Sequence, residues 1–172
     1  MALPADLLAL KAECKRRFRA KGPFEMQICL SHERRRHTNE LANKGRAGLE
    51  VECEDMANGV FACYVSLLLV GISGARHLIV GMQYVVQAVG KLVTLEEVEL
   101  RAGREEKLQI EICPHLLGKE ATLANCVTNA GCQGKTCRKK LRVLDVDNPY
   151  MGVEQLYVAI SRASDPANVC VQ

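Results

Sequence analysis

EMQICLS, residues 25–31, runs without a break into HERRRHTNELANK, residues 32–44. The first stretch is apolar and of strand length. The second is polar, carries Glu33 through Arg36 in its opening turns and Leu41 further on, and suits an exposed helix. Ser31 offers a hydroxyl to the orphan amides at the helix start, and Gly45 is placed to stop the helix. A buried strand feeding an exposed helix is the signature of an α/β fold.

Working outward, residues 7–21 read as a helix with Leu7, Leu8, Leu10 and Cys14 on one side, turning strongly basic before Gly22-Pro23 ends it. Residues 47–59 are acidic and loop-like. The apolar runs 64–70, 83–89 and 92–96 are punctuated by Gly71, Gly74, Gly81 and Gly90, which predicts a small antiparallel meander or barrel. Residues 108–113 add a short strand broken by Pro114. From Leu123 the α/β pattern returns, with a possible strand over 125–128 and a better one over 141–147 (LRVLDVD). A helix follows over 153–163, with Leu156, Ala159, Ile160 and Ala163 along one face. Residues 169–171 are a terminal strand. The expected organisation is a basic N-terminal helix or extension over 1–23, an α/β domain over 24–59 and 108–172, and a β-rich insert over 60–107.

Composition narrows the functional classes. The 172 residues are about one domain. With 48% apolar and 25% charged residues, wholesale disorder is excluded. The net charge of +3 (23 basic against 20 acidic) is too small to mark a nucleic-acid binder by itself. Aromatics make up 4% with no Trp, which leaves little for a base-stacking platform. No apolar run reaches the roughly 18–20 residues of a membrane helix, and the N-terminus lacks the order of a secretory signal. The nine cysteines are scattered without any Cys-x-x-Cys, so a metal site is not expected. They read as small core residues of an intracellular protein in a reducing compartment.

Two local motifs mimic nucleotide chemistry. Gly131 to Thr136 ends in Gly-Lys-Thr like a phosphate loop, but only two residues separate its glycines where four are needed. Too few residues follow before residue 141 for a crossover helix. Asp145 and Asp147 imitate a magnesium-binding strand end, and without a phosphate loop they read as plain strand-end carboxylates.

Residues 128–136, TNAGCQGKT, resemble motif V of superfamily 1 helicases, usually Thr-x-His-Lys-Ser-Gln-Gly-x-Thr. Residues 156–163, LYVAISRA, resemble motif VI, whose family form is Leu-Tyr-Val-Ala-Leu-Ser-Arg-Ala. Residues 28–43, ICLSHERRRHTNELAN, resemble motif IV, where a basic helix ends near an Asn. A β-rich insert between motifs IV and V is where the Pif-type and RecD-type branch carries a small barrel. The resemblance covers about residues 24–172.

The resemblance implies the second RecA-like motor domain of a DNA helicase, of α/β class and without its own phosphate loop. It would couple ATP hydrolysis to movement on single-stranded DNA. ATP and Mg2+ would be held mainly by a first RecA-like domain, in the same longer chain or a separate one, and this chain alone would bind neither. Arg162 matches the arginine finger, for which a permanently charged, rigid guanidinium fork is suited. Gln133 and Gly134 match the residues that couple nucleotide and DNA sites. Thr128 matches a phosphate-contacting Thr of the DNA track, where a hydroxyl donates without reading sequence. The family's His-Lys is Ala130-Gly131 here and its Ser is Cys132, which weakens the expected track. The nearby Lys135, Thr136, Arg138, Lys139, Lys140 and Arg142 are candidate replacements, as is the 34–36 arginine run. His32 and His37 read as polar helix residues. With no Walker A loop and no Asp-Glu strand end, the chain, whether a piece of a longer helicase or a stand-alone half, is expected not to hydrolyse ATP alone. The alternatives are a non-enzymatic nucleic-acid or protein binding module that kept the fold, and a phosphate-loop enzyme built on Gly134-Lys135-Thr136.

Overall fold

The computed structural model describes residues 5–52, 60–99 and 103–172. In chain order the elements are α1 (Ala5–Arg17), β1 (Met26–Cys29), α2 (His32–Asn43), β2 (Leu49–Glu52), β3 (Val60–Cys63), β4 (Leu68–Gly71), β5 (Gln83–Val89), β6 (Val93–Glu97) and β7 (Gln109–Ile112). They continue as α3 (Pro114–Glu120), β8 (Ala121–Leu123), β9 (Cys126–Thr128), β10 (Leu141–Val143), α4 (Val153–Ile160) and β11 (Val169–Val171), with 3₁₀ turns at Ala130–Cys132 and Pro166–Asn168. The chain forms two compact units, Met1–Thr38 with Cys126–Gln172, and Asn39–Asn125.

The first unit is mixed α/β around a parallel sheet of order β11-β10-β1-β9. Phe18 and Ala20 pair antiparallel with β11, through Ala20 N to Val169 O at 3.0 Å and Val171 N to Phe18 O at 3.0 Å. Its main core joins Met26, Ile28, Leu141, Val143, Leu156 and Ala159. The opposite side of the sheet holds Cys29, Cys126 and Leu144, with the two thiols 3.6 Å apart. The face of α1 differs from expectation. Lys11 and Cys14 are buried and Leu7 and Phe18 half-buried, whereas Leu8 and Leu10 face solvent. Lys11 turns inward because its ammonium donates to Asn148 O at 2.9 Å while its stem packs on apolar surface. Burial draws its pKa below the ordinary lysine value.

The strand expected over 141–147 stops at Val143. Asp145 lies in the left-handed region at φ +59°, and the chain there turns away from the sheet. α4 keeps Leu156 and Ala159 buried, with Ile160 and Ala163 packed against the same core.

The second unit is antiparallel. Five strands in the order β7-β6-β5-β4-β8 and the β2-β3 ribbon share one core, which includes Val51, Phe61, Leu69, Tyr84, Val86 and Leu95. The insert expected over 60–107 lies inside this unit. Three local expectations are corrected. Residues 47–59 are not all loop, since Leu49–Glu52 pairs with Val60–Cys63; residues 53–59 fall outside the described residues. The single strand expected over 64–70 is broken, because Ser66 adopts φ +73° and the chain turns before β4. Pro114 does not merely end β7. It opens α3, where its missing N–H is harmless.

The buried positions of α2 are Asn39 and Asn43, not apolar residues. The Asn43 amide donates to Ala62 O and accepts from Ala62 N, both at 2.8 Å, and Asn39 donates to Leu123 O at 2.9 Å. Each amide thus serves as a short piece of strand edge. Gly71 is required by space, since a Cβ there would stand 2.2 Å from Ile79 O. Gly71→Ala is expected to destabilise this unit by about 2 kcal/mol, as overpacking against backbone does. Urea unfolding with an unchanged midpoint would show the contact to be soft.

Candidate nucleotide and nucleic-acid site

In the α/β unit the loop after β9 is built from its own backbone. Asn129 N donates to Cys29 O at 2.8 Å, tying the loop to β1. The buried Thr128 hydroxyl accepts from Gly131 N at 3.2 Å, so it holds the turn rather than standing open. Cys132 is buried, with its thiol 3.0 Å from Asn129 O. Gln133 and Gly134 are exposed at the crest. Gly134 has φ +75° and nothing within 4 Å of a Cβ, so backbone conformation selects glycine here rather than crowding within this chain.

No helix opens at Gly134–Thr136. The chain passes through a bridge at Cys137 to β10, which removes the phosphate-loop reading. The magnesium mimicry goes with it, because Asp145 pairs with Arg34 at 3.5 Å and Asp147 with Lys15.

Arg162 lies just beyond α4 and is fixed to this loop through backbone. Cys137 N donates to Arg162 O at 2.7 Å and Ser164 N to Cys137 O at 2.9 Å. Its guanidinium donates to Val158 O at 3.1 Å and to the Ser161 hydroxyl at 3.0 Å, and among the described residues it pairs with no carboxylate. Its charge reaches Cys132. Burial pushes that thiol above its ordinary pKa, and the Arg162 and Lys135 charges pull part of the rise back. Arg162 is thus tied by backbone to Cys137, at the far end of the loop that carries Gln133 and Gly134.

The basic run divides by use. Arg142 stacks on the Phe24 ring at 4.0 Å, and Lys140 donates through its ammonium to Lys21 O. Arg138, Lys139 and Thr136 are exposed, and Lys135 is half-buried. Glu25 accepts from Lys139 N at 2.9 Å, which holds the start of the run against β1.

A second feature escaped the sequence reading. A cleft of about 270 Å³ is lined by Ser31, Glu33, Arg34, His37, Asp145 and Asn148. It lies past the carboxyl ends of β1 and β10. The chain leaves β1 toward β9 on one side and later returns to β10 and β11 on the other, so this is the switch point of the sheet. The signal available in sequence was Asp145 following an apolar strand, which stood unconnected to Arg34. Among the described residues, no group of three or more His, Cys, Asp or Glu residues is arranged to hold a metal.

This architecture is a parallel α/β unit interrupted in sequence by an antiparallel one. Solved Pif1 helicases share it. Over 98% of this chain the fold matches Bacteroides Pif1 bound to ssDNA with a TM-score of 0.63 and 17% identity. Pif1 helicase from Candida albicans matches over 99% of the chain with a TM-score of 0.62 and 15% identity. Bacteroides Pif1 in complex with ADP-AlF3 and ssDNA matches with a TM-score of 0.61 and 17% identity. The chain spans 45–50% of the length of these proteins, so the likeness is to part of a helicase and is one of fold. No family model and no curated protein matches the sequence.

Proposed function

We propose that this chain is the second motor half of an ATP-dependent DNA helicase, with Arg162 as its arginine finger. One observation carries the reading. The loop 128–137 and Arg162, the residues of the motif V and motif VI resemblances, are joined by backbone bonds at Cys137, and among the described residues the guanidinium pairs with no acid. An internal carboxylate would have to be stripped away before a finger could meet a phosphate, and here that cost does not arise.

The nucleotide and its magnesium would be held by a first RecA-like domain. What they supply is a γ-phosphoryl group on which charge develops, and this chain's part is to place Arg162, backed by Gln133 and Gly134, against that charge. Single-stranded DNA is the proposed partner of the exposed Arg138, Lys139 and Thr136, with Lys135 beside them and Thr128 shaping the loop. Pif1 bound to ssDNA is among the solved relatives in fold. The five-stranded sheet and ribbon over one core are proposed as the counterpart of the family's small barrel, and residues 1–23 as an extension of the motor domain. The eight described cysteines form no disulfide with one another, which fits an intracellular reducing compartment. No helix among the described residues is long and apolar enough to cross a membrane.

Alone, the 172-residue chain is expected to show no ATP hydrolysis, with or without single-stranded DNA. Fused behind a first RecA-like domain from a Pif1 helicase, it is expected to restore DNA-stimulated turnover. A fusion that folds and binds ATP yet never turns over would refute the motor assignment, and turnover by the isolated chain that survives loss of Arg162 would refute the assigned chemistry.

A further inference from the structure

The cleft between the ends of β1 and β10 is filled by the protein's own negative charge. Asp145 spans it: one carboxylate oxygen lies 3.5 Å from Arg34 Nε and the other accepts from Leu30 N at 3.4 Å. Both distances exceed the roughly 2.7–2.9 Å of a good charge-assisted bond, so the carboxylate is loosely held. The groups it touches are both donors, one a backbone N–H and one a guanidinium, and an oxyanion with two oxygens at that separation satisfies the same pair. At the start of α2 the amides of His32 and Glu33 make no bond among the described residues, which adds to the positive character of this end.

We propose that Asp145 is a resident anion of this cleft, holding Arg34 in the place of a phosphate, and that phosphate-bearing ligands enter by displacing it. The volume of about 270 Å³ exceeds several times the roughly 30 Å³ share of one water, which leaves room for a phosphate group. Charge makes the displacement necessary. Glu33 and Asp145 outweigh Arg34 while Asp145 is in place, and withdrawing Asp145 leaves Glu33 and Arg34 balanced with the guanidinium unpaired. The surrounding backbone makes it possible by side-chain rotation. Lys11 holds Asn148 O, Lys15 holds Asp147, Leu144 N bonds Ile28 O at 2.8 Å and Val146 N bonds Gln172 O at 3.1 Å, so the loop is pinned on both sides of Asp145. The left-handed φ of +59° is one that aspartate tolerates and that aims this side chain back toward α2. The proposal rests on the motor-domain reading only for what carries the phosphate.

The test titrates the full chain with inorganic phosphate and follows the Leu30 amide and Arg34 Nε resonances by NMR. Asp145→Asn is expected to bind phosphate about tenfold more tightly than the parent, the effect of removing one opposing charge about 4 Å away. Arg34→Ala, alone or combined with Asp145→Asn, is expected to lose the binding. Equal affinity of Asp145→Asn and the parent, or a gain that persists without Arg34, overturns the proposal. Should Asp145→Asn not fold, Asp145→Ser takes its place. In the parent chain, phosphate-induced shifts confined to Arg138 and Lys139 overturn it as well. Parallel titrations with a dT12 oligonucleotide and with ATP identify the carrier by which of them gains from the substitution. A chain that binds no dT12 in any variant yet shows the phosphate gain removes the DNA-track reading and leaves the role of Asp145 intact. The converse result removes Asp145 and leaves the track.

Discussion

Arg162→Ala, placed in a two-domain enzyme made by fusion to a first RecA-like domain, is expected to cut ATP turnover by roughly three orders of magnitude or more, as loss of an arginine finger does. ATP affinity should fall far less, because the guanidinium acts on charge that develops in the transition state. Arg162→Lys should rescue poorly, since an ammonium lacks the planar fork. The structure gives the substitution a clean reading. Among the described residues, only Val158 O and the Ser161 hydroxyl lose a donor, both at the end of α4, and no carboxylate is orphaned by the loss. Stability should therefore stay near the parent's while turnover collapses. Single-turnover hydrolysis beside equilibrium binding of ATP separates the two effects. A proportionate loss of binding and turnover would instead make Arg162 a binding residue.

The second large effect falls on the antiparallel unit. Glu120→Ala is expected to destabilise it by about 3 kcal/mol, the upper range for hydrogen bonds to a charged group plus the amides left without a partner. Glu120 is buried at the end of α3, where its carboxylate accepts from His77 N at 2.8 Å and Leu78 N at 3.1 Å and pairs with the His77 ring. These bonds fix the long connection between β4 and β5. Burial pushes the Glu120 pKa up, but the His77 ring and the two amides together pull it below the ordinary carboxylate value. A folded pKa below the unfolded one, about 4.3, means stability that is fully present at neutral pH and lost as pH falls through the folded value. The gap between parent and Glu120→Gln should thus be wide at pH 7 and close progressively below about pH 4.3. Urea unfolding at pH 7 and pH 3.5 measures it, and a gap that does not change with pH would mean that packing, not charge, holds this connection.

The pattern of periods in this sequence decided the class of fold. Strand length at Ile28, helical period at Leu156 and Ala159, and glycine-punctuated alternation between them follow from local stereochemistry, and they survive whatever packs around them. The stretches around Gln133 and Arg162 stand out by their resemblance to helicase motifs, which keep their residues together in sequence. Local logic failed where the deciding contact is distant. Leu8 and Leu10 read as the inward face of α1, yet Lys11 goes inward because Asn148 O, 137 residues away, receives its ammonium. The apolar run through Val65 reads as one strand, yet Ser66 turns it so that its two halves can enter one core. Asn39 and Asn43 carry no hydrophobic signal and are buried all the same, because strand edges far along the chain need their amides. Asp145 reads as a strand-end acid, and only the parallel pairing of β1 with β10 brings it to Arg34. Local sequence sets backbone preference within a few residues. Which polar group faces which is set by the register of strands that meet after more than a hundred residues of intervening chain, and that was decided by the tertiary structure alone.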